Sequence, residues 1–224
     1  TTSFRWNDDW QTKSVNELYR DGYDPSRNNL MINQVRYLFG ETTADLDRFT
    51  FASQAVQAEA MKFFVEMFRS QKFSPRTGIL WWNVRDGWPI ISDAVTDWYF
   101  NKKLAYHFIK NVQQDVCVMI SDNPDGTHPL TAVNDTRTPA SGKVTVRDAA
   151  SGKVIFKGKY DIPANGKTVL TTIPAAEGQG IWVITYSAPG VKETRNHYLY
   201  GQPPFDLDRY KELLESTEIY NGVL

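Results

Sequence analysis

The sequence predicts an α/β segment of the type that closes a (β/α)8 barrel, followed by an immunoglobulin-like β-sandwich. Helical patterns surround one continuous apolar run in the chain up to about residue 112. About seven short, alternating segments follow, with turn-forming sequences between them. A short helical pattern after a diproline ends the chain. We therefore expect the C-terminal part of a barrel over 1–111, a β-sandwich over 112–201 and a helical tail over 202–224.

Two helices are predicted before the apolar run. The first covers 29–40 and ends at Gly40, and the second continues to about Ser70 with Thr42 or Thr43 as its cap. On a helical wheel, one face of the second helix collects the apolar residues Val56, Ala60, Phe63, Phe64, Met67 and Phe68. Lys62, Glu66 and Arg69 lie on the opposite face.

The apolar run "GILWWNV", residues 78–84, predicts a buried strand. It shows no alternation, as expected for a strand covered on both faces in a parallel sheet. The loop "RDGWP" and a further helical pattern over 101–112 come after it. The order helix, strand, loop and helix is typical of the last unit of a βα barrel.

The sandwich prediction depends on strand length and spacing. The candidate strands are 115–121, 129–134, 143–148, 153–160, 167–173, 180–187 and 193–200. "AASGK" and "PANGK" between them are turn-forming sequences. There is no Cys–Trp–Cys arrangement, so the layout alone is immunoglobulin-like.

Candidate binding residues follow the predicted barrel strand. The strand places Trp82 and Asn83 at its carboxyl end, and the loop presents Arg85, Asp86 and Trp88. In βα barrels these strand ends form the rim of the active site. A tryptophan ring can cover the apolar face of a pyranose while neighbouring polar groups bind its hydroxyls. The alternative is that the tryptophans fill the barrel core and that Arg85 pairs with Asp86 on the surface.

Three segments, in the same order, resemble glycoside hydrolase family 2 enzymes of the β-mannosidase and exo-β-glucosaminidase type. They are "ASQAVQAEA" at 52–60, "GILWWNVRDGWP" at 78–89 with "DW" and "KLAY" after it, and "NHYLYGQPPFDLDRYK" at 196–211. The first is similar to the family pattern S-Q-x-x-Q-A-E-A, and the second to G-a-l-Y-W-Q-x-N-D-x-W-P. The resemblance runs from about residue 45 to 211.

The resemblance implies a retaining, exo-acting glycosidase that cleaves terminal β-linked sugars from oligosaccharides or glycoconjugates. Such an enzyme uses two carboxylates. In the family the acid/base and the nucleophile lie upstream, the nucleophile in an S-E-F-G-like context that this sequence lacks. We therefore expect no catalytic residue in this chain, which contributes one wall of the sugar subsite and is inactive alone. Glu41 and Glu59 are the nearest glutamates, and Glu59 falls within a helical pattern. The alternative is a stand-alone carbohydrate-binding or structural β-sandwich module.

Two positions depart from the family pattern at the predicted rim. The usual glutamine after the tryptophan is Asn83, and the asparagine before the aspartate is Arg85. By the resemblance, Trp82 contacts the sugar while Asp86 and Trp88 shape the rim. An arginine at this position either favours an acidic sugar or braces Asp86.

Composition excludes several other classes of protein. A net charge of −1 with scattered Lys and Arg argues against a nucleic-acid partner. No run of eighteen apolar residues exists, so no membrane span is predicted. Cys117 is the only cysteine, and the three histidines have no metal-ligand spacing, so we expect neither a metal nor a cofactor. The expected partners are a glycoside or oligosaccharide and the remainder of a longer parent chain. The resemblance to family 2 enzymes favours a secreted or periplasmic location over a cytoplasmic one.

Overall fold

The computed structural model describes residues 26–40, 45–74, 76, 78–89, 92–188 and 191–224. Four helices lie in this part of the chain: α1 (Ser26–Phe39), α2 (Leu46–Ser70), α3 (Leu104–Val112) and α4 (Leu207–Ser216). Gly40 ends α1 with a φ of 73°, a conformation that glycine adopts without strain. The predicted cap residues Thr42 and Thr43, like Glu41, lie outside the described residues. Asp45 caps α2 instead, since its Oδ1 accepts a 2.7 Å hydrogen bond from the backbone N–H of Arg48.

Seven strands form the β-sandwich that the sequence predicts. They are β1 (Val116–Ile120), β2 (His128–Asn134), β3 (Ala140–Asp148), β4 (Val154–Ile162), β5 (Lys167–Ile173), β6 (Gly180–Ala188) and β7 (Val191–Tyr200). One sheet has the order β1-β2-β5 and the other β4-β3-β6-β7, with antiparallel pairing throughout. Side chains from both sheets meet in one apolar core that includes Val118, Val146, Trp182 and Ile184.

A second core joins the four helices to the sandwich. It contains Phe49 and Ala55 of α2, Phe108 of α3 and Leu214 of α4, together with Ile181 of β6. α2 also lies against β1 and β2. All five residues of β1 are therefore buried, which explains why its sequence "VCVMI" shows no alternation. Whether the three predicted parts are separate domains stays a prediction.

The apolar face of α2 seen on the helical wheel is not its most deeply buried face. Lys62 and Glu66 are buried, at 3% and 4% exposure, whereas Phe63 and Phe64 are each 46% exposed. The physical reason is a set of buried polar contacts. Lys62 Nζ lies 2.6 Å from Glu66 Oε2, and Glu66 Oε1 accepts a 2.7 Å hydrogen bond from Asn196 Nδ2 on β7. The two charges neutralise each other within the contact between α2 and the sandwich, so this face of the helix can be buried.

The predicted strand over 78–84 is also not formed. These residues have no regular secondary structure, and Leu80 is fully exposed. A strand needs backbone partners, and the described residues include no other strand of a barrel that could pair with this one. The β-sandwich is thus present in the structure, whereas the (β/α)8 barrel remains a proposal.

Two further findings concern membranes and metals. None of the helices in the described ranges combines the length and the apolar character needed to cross a membrane. Within the same ranges, no group of three or more His, Cys, Asp or Glu side chains lies together as metal ligands would.

Candidate functional site

The backbone of residues 83–86 is fixed against residues 95–96. Val95 N–H donates to Asn83 O at 3.0 Å, and Thr96 N–H donates to Val84 O at 3.1 Å. In return, Asp86 N–H donates to Thr96 O at 3.0 Å. These three bonds hold the predicted rim in a defined conformation although it belongs to no sheet. The name "rim" is used below for residues 82–88.

The carboxylate of Asp86 lies inside the rim. Asp86 is 5% exposed, and its Oδ1 accepts a hydrogen bond from Ser92 Oγ. Its Oδ2 is 3.2 Å from Lys103 Nζ, which also donates to Ser92 O at 3.1 Å. Both carboxylate oxygens thus have protein partners. Asp86 therefore links the rim to the start of α3 through Lys103, and its carboxylate does not face solvent.

Arg85 points its guanidinium at aromatic rings. The guanidinium carbon is 3.7 Å from the centroid of Phe100 and 5.1 Å from that of Trp98, and Nη2 donates to Trp98 O at 3.3 Å. Such contacts between a cation and a ring are attractive because the face of the ring is electronegative. Of the two roles open to Arg85, bracing Asp86 is the one its contacts do not support, because the partners of Asp86 are Ser92 and Lys103.

The loop that carries these rings is closed by Asp97 and Asn101. Asn101 donates from its backbone N–H and from Nδ2 to the two oxygens of Asp97, at 2.8 and 2.9 Å. Desolvation raises the pKa of Asp97, but the hydrogen bonds from Asn101 outweigh it and hold the pKa below its usual value. Phe100 has a φ of 69°, so this tight turn places a bulky side chain in the left-handed region.

Trp82 and Trp88 are the exposed part of the rim. Their exposed fractions are 69% and 61%, whereas Asn83 is half-buried. Exposed tryptophan rings are available for contact with a ligand or with another part of the protein. The two tryptophans therefore offer ring faces next to polar groups, the arrangement that suits a pyranose.

Two glutamines of the "ASQAVQAEA" segment hold α2 to the loop after the rim. Gln57 Nε2 donates to Asp93 O, and Gln54 Oε1 accepts a 2.9 Å hydrogen bond from Leu104 N–H at the start of α3. Gln57 thus binds the loop, and the hydrogen bond of Gln54 joins the two helices. Sequence reasoning missed the roles of Ser92 and Lys103. For Lys103 the available signal was its place at the first position of "KLAY".

Glu59 joins the first segment to the third. Its Oε1 accepts hydrogen bonds from His197 Nε2 at 3.0 Å and from Tyr210 OH at 2.7 Å, and His197 Nδ1 lies 3.2 Å from Tyr220 OH. Desolvation raises the pKa of Glu59, but His197, Lys62 and Tyr210 together outweigh it and lower the pKa below its usual value. Glu59 is thus a structural carboxylate, and the three segments that carry the resemblance contact one another in space.

Comparison with known proteins identifies relatives of this chain. No family model matches the chain. However, β-mannosidase B of Aspergillus niger is 30% identical to it over 172 residues, which cover 68% of the chain and 20% of that enzyme. The resemblance noted in the sequence is confirmed. The chain belongs to glycoside hydrolase family 2.

Solved structures show the same fold. The β-D-mannosidase of Dictyoglomus thermophilum matches the family 2 chain with a TM-score of 0.68 and 24% identity, over 79% of the chain and 22% of that structure. The exo-chitosanase of Amycolatopsis orientalis matches with a TM-score of 0.60 and 18% identity, over 75% of the chain and 21% of that structure. The family 2 chain thus spans about a fifth of the length of these proteins, which fits their C-terminal part.

Proposed function

We propose that this chain is the C-terminal part of a retaining, exo-acting glycosidase that removes terminal β-linked sugars from oligosaccharides or glycoconjugates. In this proposal residues 1–111 complete a (β/α)8 barrel with preceding chain, and the rim forms one wall of the subsite for the terminal sugar. The observation that carries the proposal is the exposure of Trp82 and Trp88 in a chain related to β-mannosidase B. Backbone hydrogen bonds to residues 95 and 96 hold the rim that bears these two side chains.

Each rim residue has a distinct part in this proposal. The ring of Trp82 covers the apolar C–H face of the sugar, and Asn83 and Trp88 complete the wall. Asp86 does not bind sugar; it fixes the rim through Ser92 and Lys103. These groups bind and orient substrate, which places the glycosidic bond against the reacting groups.

In this proposal the chemical step uses two carboxylates from outside the described residues. In retaining enzymes they flank the glycosidic bond about 5–5.5 Å apart. Glu59 is committed to His197 and Tyr210, and Asp86 to Ser92 and Lys103. We propose that the acid/base and the nucleophile come from the preceding part of the longer protein. The chain alone then binds sugar weakly and hydrolyses nothing.

The test is turnover by the longer protein on aryl β-mannoside, β-galactoside and β-glucosaminide. The Trp82→Ala variant should lose about 10- to 150-fold in kcat/KM, since burying an aromatic side chain contributes about 1.5–3 kcal/mol. Tyr37→Ala is the matched control, because Tyr37 is equally exposed, at 73%, but lies on α1. It should leave kcat/KM unchanged.

If the longer protein releases product from none of the three glycosides, the proposal is contradicted. If the 224-residue chain nevertheless binds an oligosaccharide in calorimetry, and Trp82→Ala abolishes that binding, the stand-alone binding module is supported instead. Robust hydrolysis by the 224-residue chain alone would show that the reacting carboxylates lie within it.

A further inference from the structure

We propose that a cavity between the C-terminal end of α2 and the sandwich binds a small oxyanion, either a phosphate or a carboxylate. The cavity has a volume of about 590 Å³. Its lining includes the side chains of Phe68, Arg69, Lys72, Phe73, Arg76 and Asp135. It is separate from the rim, so this proposal does not depend on the proposed glycosidase activity.

The charges that line the cavity do not balance. Arg69, Lys72 and Arg76 supply three positive charges, and Asp135 is the carboxylate among the lining residues. Asp135 is shared, since Oδ2 lies 2.8 Å from Arg69 Nη2 and Oδ1 lies 2.5 Å from Lys72 Nζ. Desolvation raises the pKa of Asp135, but its bonds to Lys72 and Arg69 outweigh this and lower the pKa, so the carboxylate stays ionised. An excess positive charge therefore lines the cavity.

Two arginine nitrogens have no acceptor. Arg69 Nε and Arg76 Nη1 are buried and lack a hydrogen-bond partner among the residues that the structure describes. Leaving a buried donor without an acceptor is unfavourable, and more so for a charged group. An oxyanion in the cavity would supply the missing acceptors, and charge-assisted hydrogen bonds of this kind are the strong ones.

Arg69 and Arg76 are already held in place. Arg69 donates from Nη1 to Val112 O and from Nη2 to Gln114 O at 2.8 Å, which anchors its guanidinium between α2 and β1. The guanidinium carbon of Arg76 lies 5.3 Å from the centroid of Phe68. Pre-ordered donors bind with a smaller loss of conformational entropy. A cation is excluded by the positive charge, and the rings of Phe68 and Phe73 also suit an anion with an apolar part.

The same chemistry has two possible sources. One is a free anion from solution, and the other is an aspartate or glutamate of the preceding part of the longer protein. Isothermal titration calorimetry with inorganic phosphate and with acetate, at constant ionic strength in chloride, tests the site in the 224-residue chain. We expect saturable binding that Arg76→Gln weakens at least tenfold. Arg209→Gln is the matched control, because Arg209 is exposed and pairs with Glu212 on α4, and it should bind as the parent does. Circular dichroism verifies that both variants are folded.

The longer protein distinguishes the two sources. If the anions bind both the 224-residue chain and the longer protein, the natural occupant is a free anion. If they bind the 224-residue chain alone, a carboxylate of the longer protein already occupies the site. Both results support the site. The proposal is overturned if the 224-residue chain binds neither anion. It is also overturned if Arg76→Gln and Arg209→Gln weaken binding equally, since the effect would then come from net charge alone.

Discussion

Removing the charge of Glu66 should strongly destabilise the fold. Glu66→Met keeps the length of the side chain but leaves the ammonium of Lys62 buried without its partner. The two side chains are 6% and 4% exposed, with Nζ and Oε2 2.6 Å apart. Breaking a buried ion pair from one side costs about 3–5 kcal/mol. Since domains are stable by only about 5–15 kcal/mol, this is about a third of the total.

The double variant Lys62→Met/Glu66→Met separates the charge from the packing. It removes both buried ions, and replacing a buried pair by apolar side chains is often neutral or stabilising by about 1–4 kcal/mol. Asn196 Nδ2 loses Glu66 Oε1 as an acceptor but keeps Val118 O at 3.0 Å, which limits this loss to about 0.5–1.5 kcal/mol. We therefore expect the double variant to be more stable than either single variant.

Urea unfolding followed by tryptophan fluorescence and far-UV circular dichroism measures these differences. The matched control is Glu212→Met on α4, whose partner Arg209 is 2.7 Å away and half exposed. Exposed pairs contribute at most about 1 kcal/mol, so the control should hardly change the midpoint. A loss below about 1 kcal/mol in Glu66→Met would refute the reasoning. Losses that simply add in the double variant would refute it too, because a true pair must show coupling.

Three further results are expected. Lys103→Gln should lower the free energy of unfolding by about 1.5–3 kcal/mol because it removes the cation at Asp86. Arg85→Gln should lower it by only about 0.5–1 kcal/mol. Equal urea midpoints for the two variants would contradict these assignments. Burial raises the pKa of the Cys117 thiol to about 11, so at pH 8 it should react with a disulfide reagent only as fast as the protein unfolds; rapid labelling of the native chain would contradict its burial. Because the folded pKa of Glu59 lies below 4.5, its charge stabilises the fold above that pH and the contribution is lost as the pH falls through the folded value. Glu59→Gln should therefore be less stable at pH 7, with a deficit that shrinks below about pH 4.5, and a deficit independent of pH would contradict the linkage.

The β-sandwich could be predicted from sequence because its signals are local. Each strand is short, its side chains alternate or form one apolar run, and turn residues separate it from the next. The seven predicted segments overlap β1 to β7, and the predicted helices overlap α1 to α4. Errors are confined to a few residues at the ends, where hydrogen bonds rather than propensity decide the boundary.

The buried face of α2 could not be predicted, because it depends on distant partners. A helical wheel shows which residues share a face, but it does not show which face is buried. Asn196, which binds Glu66, is 130 residues away in sequence. The strand over 78–84 failed for a related reason, since an apolar run forms a strand only where neighbouring strands supply hydrogen bonds. In both cases the missing information was the partner.

The family motifs in this chain are mainly contacts between segments. Gln54 and Gln57 bind the chain around the rim, and Glu59 binds His197 and Tyr210. These contacts need a fixed geometry between elements far apart in sequence, so they report the fold whatever the sugar is. This explains why three ordered segments were enough to identify the family.

The departures from the family pattern lie where sugar specificity would be set. Asn83 and Arg85 belong to the rim beside the exposed ring of Trp82. The guanidinium of Arg85 lies against the rings of Phe100 and Trp98. Asp86 is held by Ser92 and Lys103, and neither of these contacts involves Arg85. In the proposed function, fold and specificity are thus carried by different residues within one motif. A sugar different from mannose is consequently compatible with every contact that identifies the family.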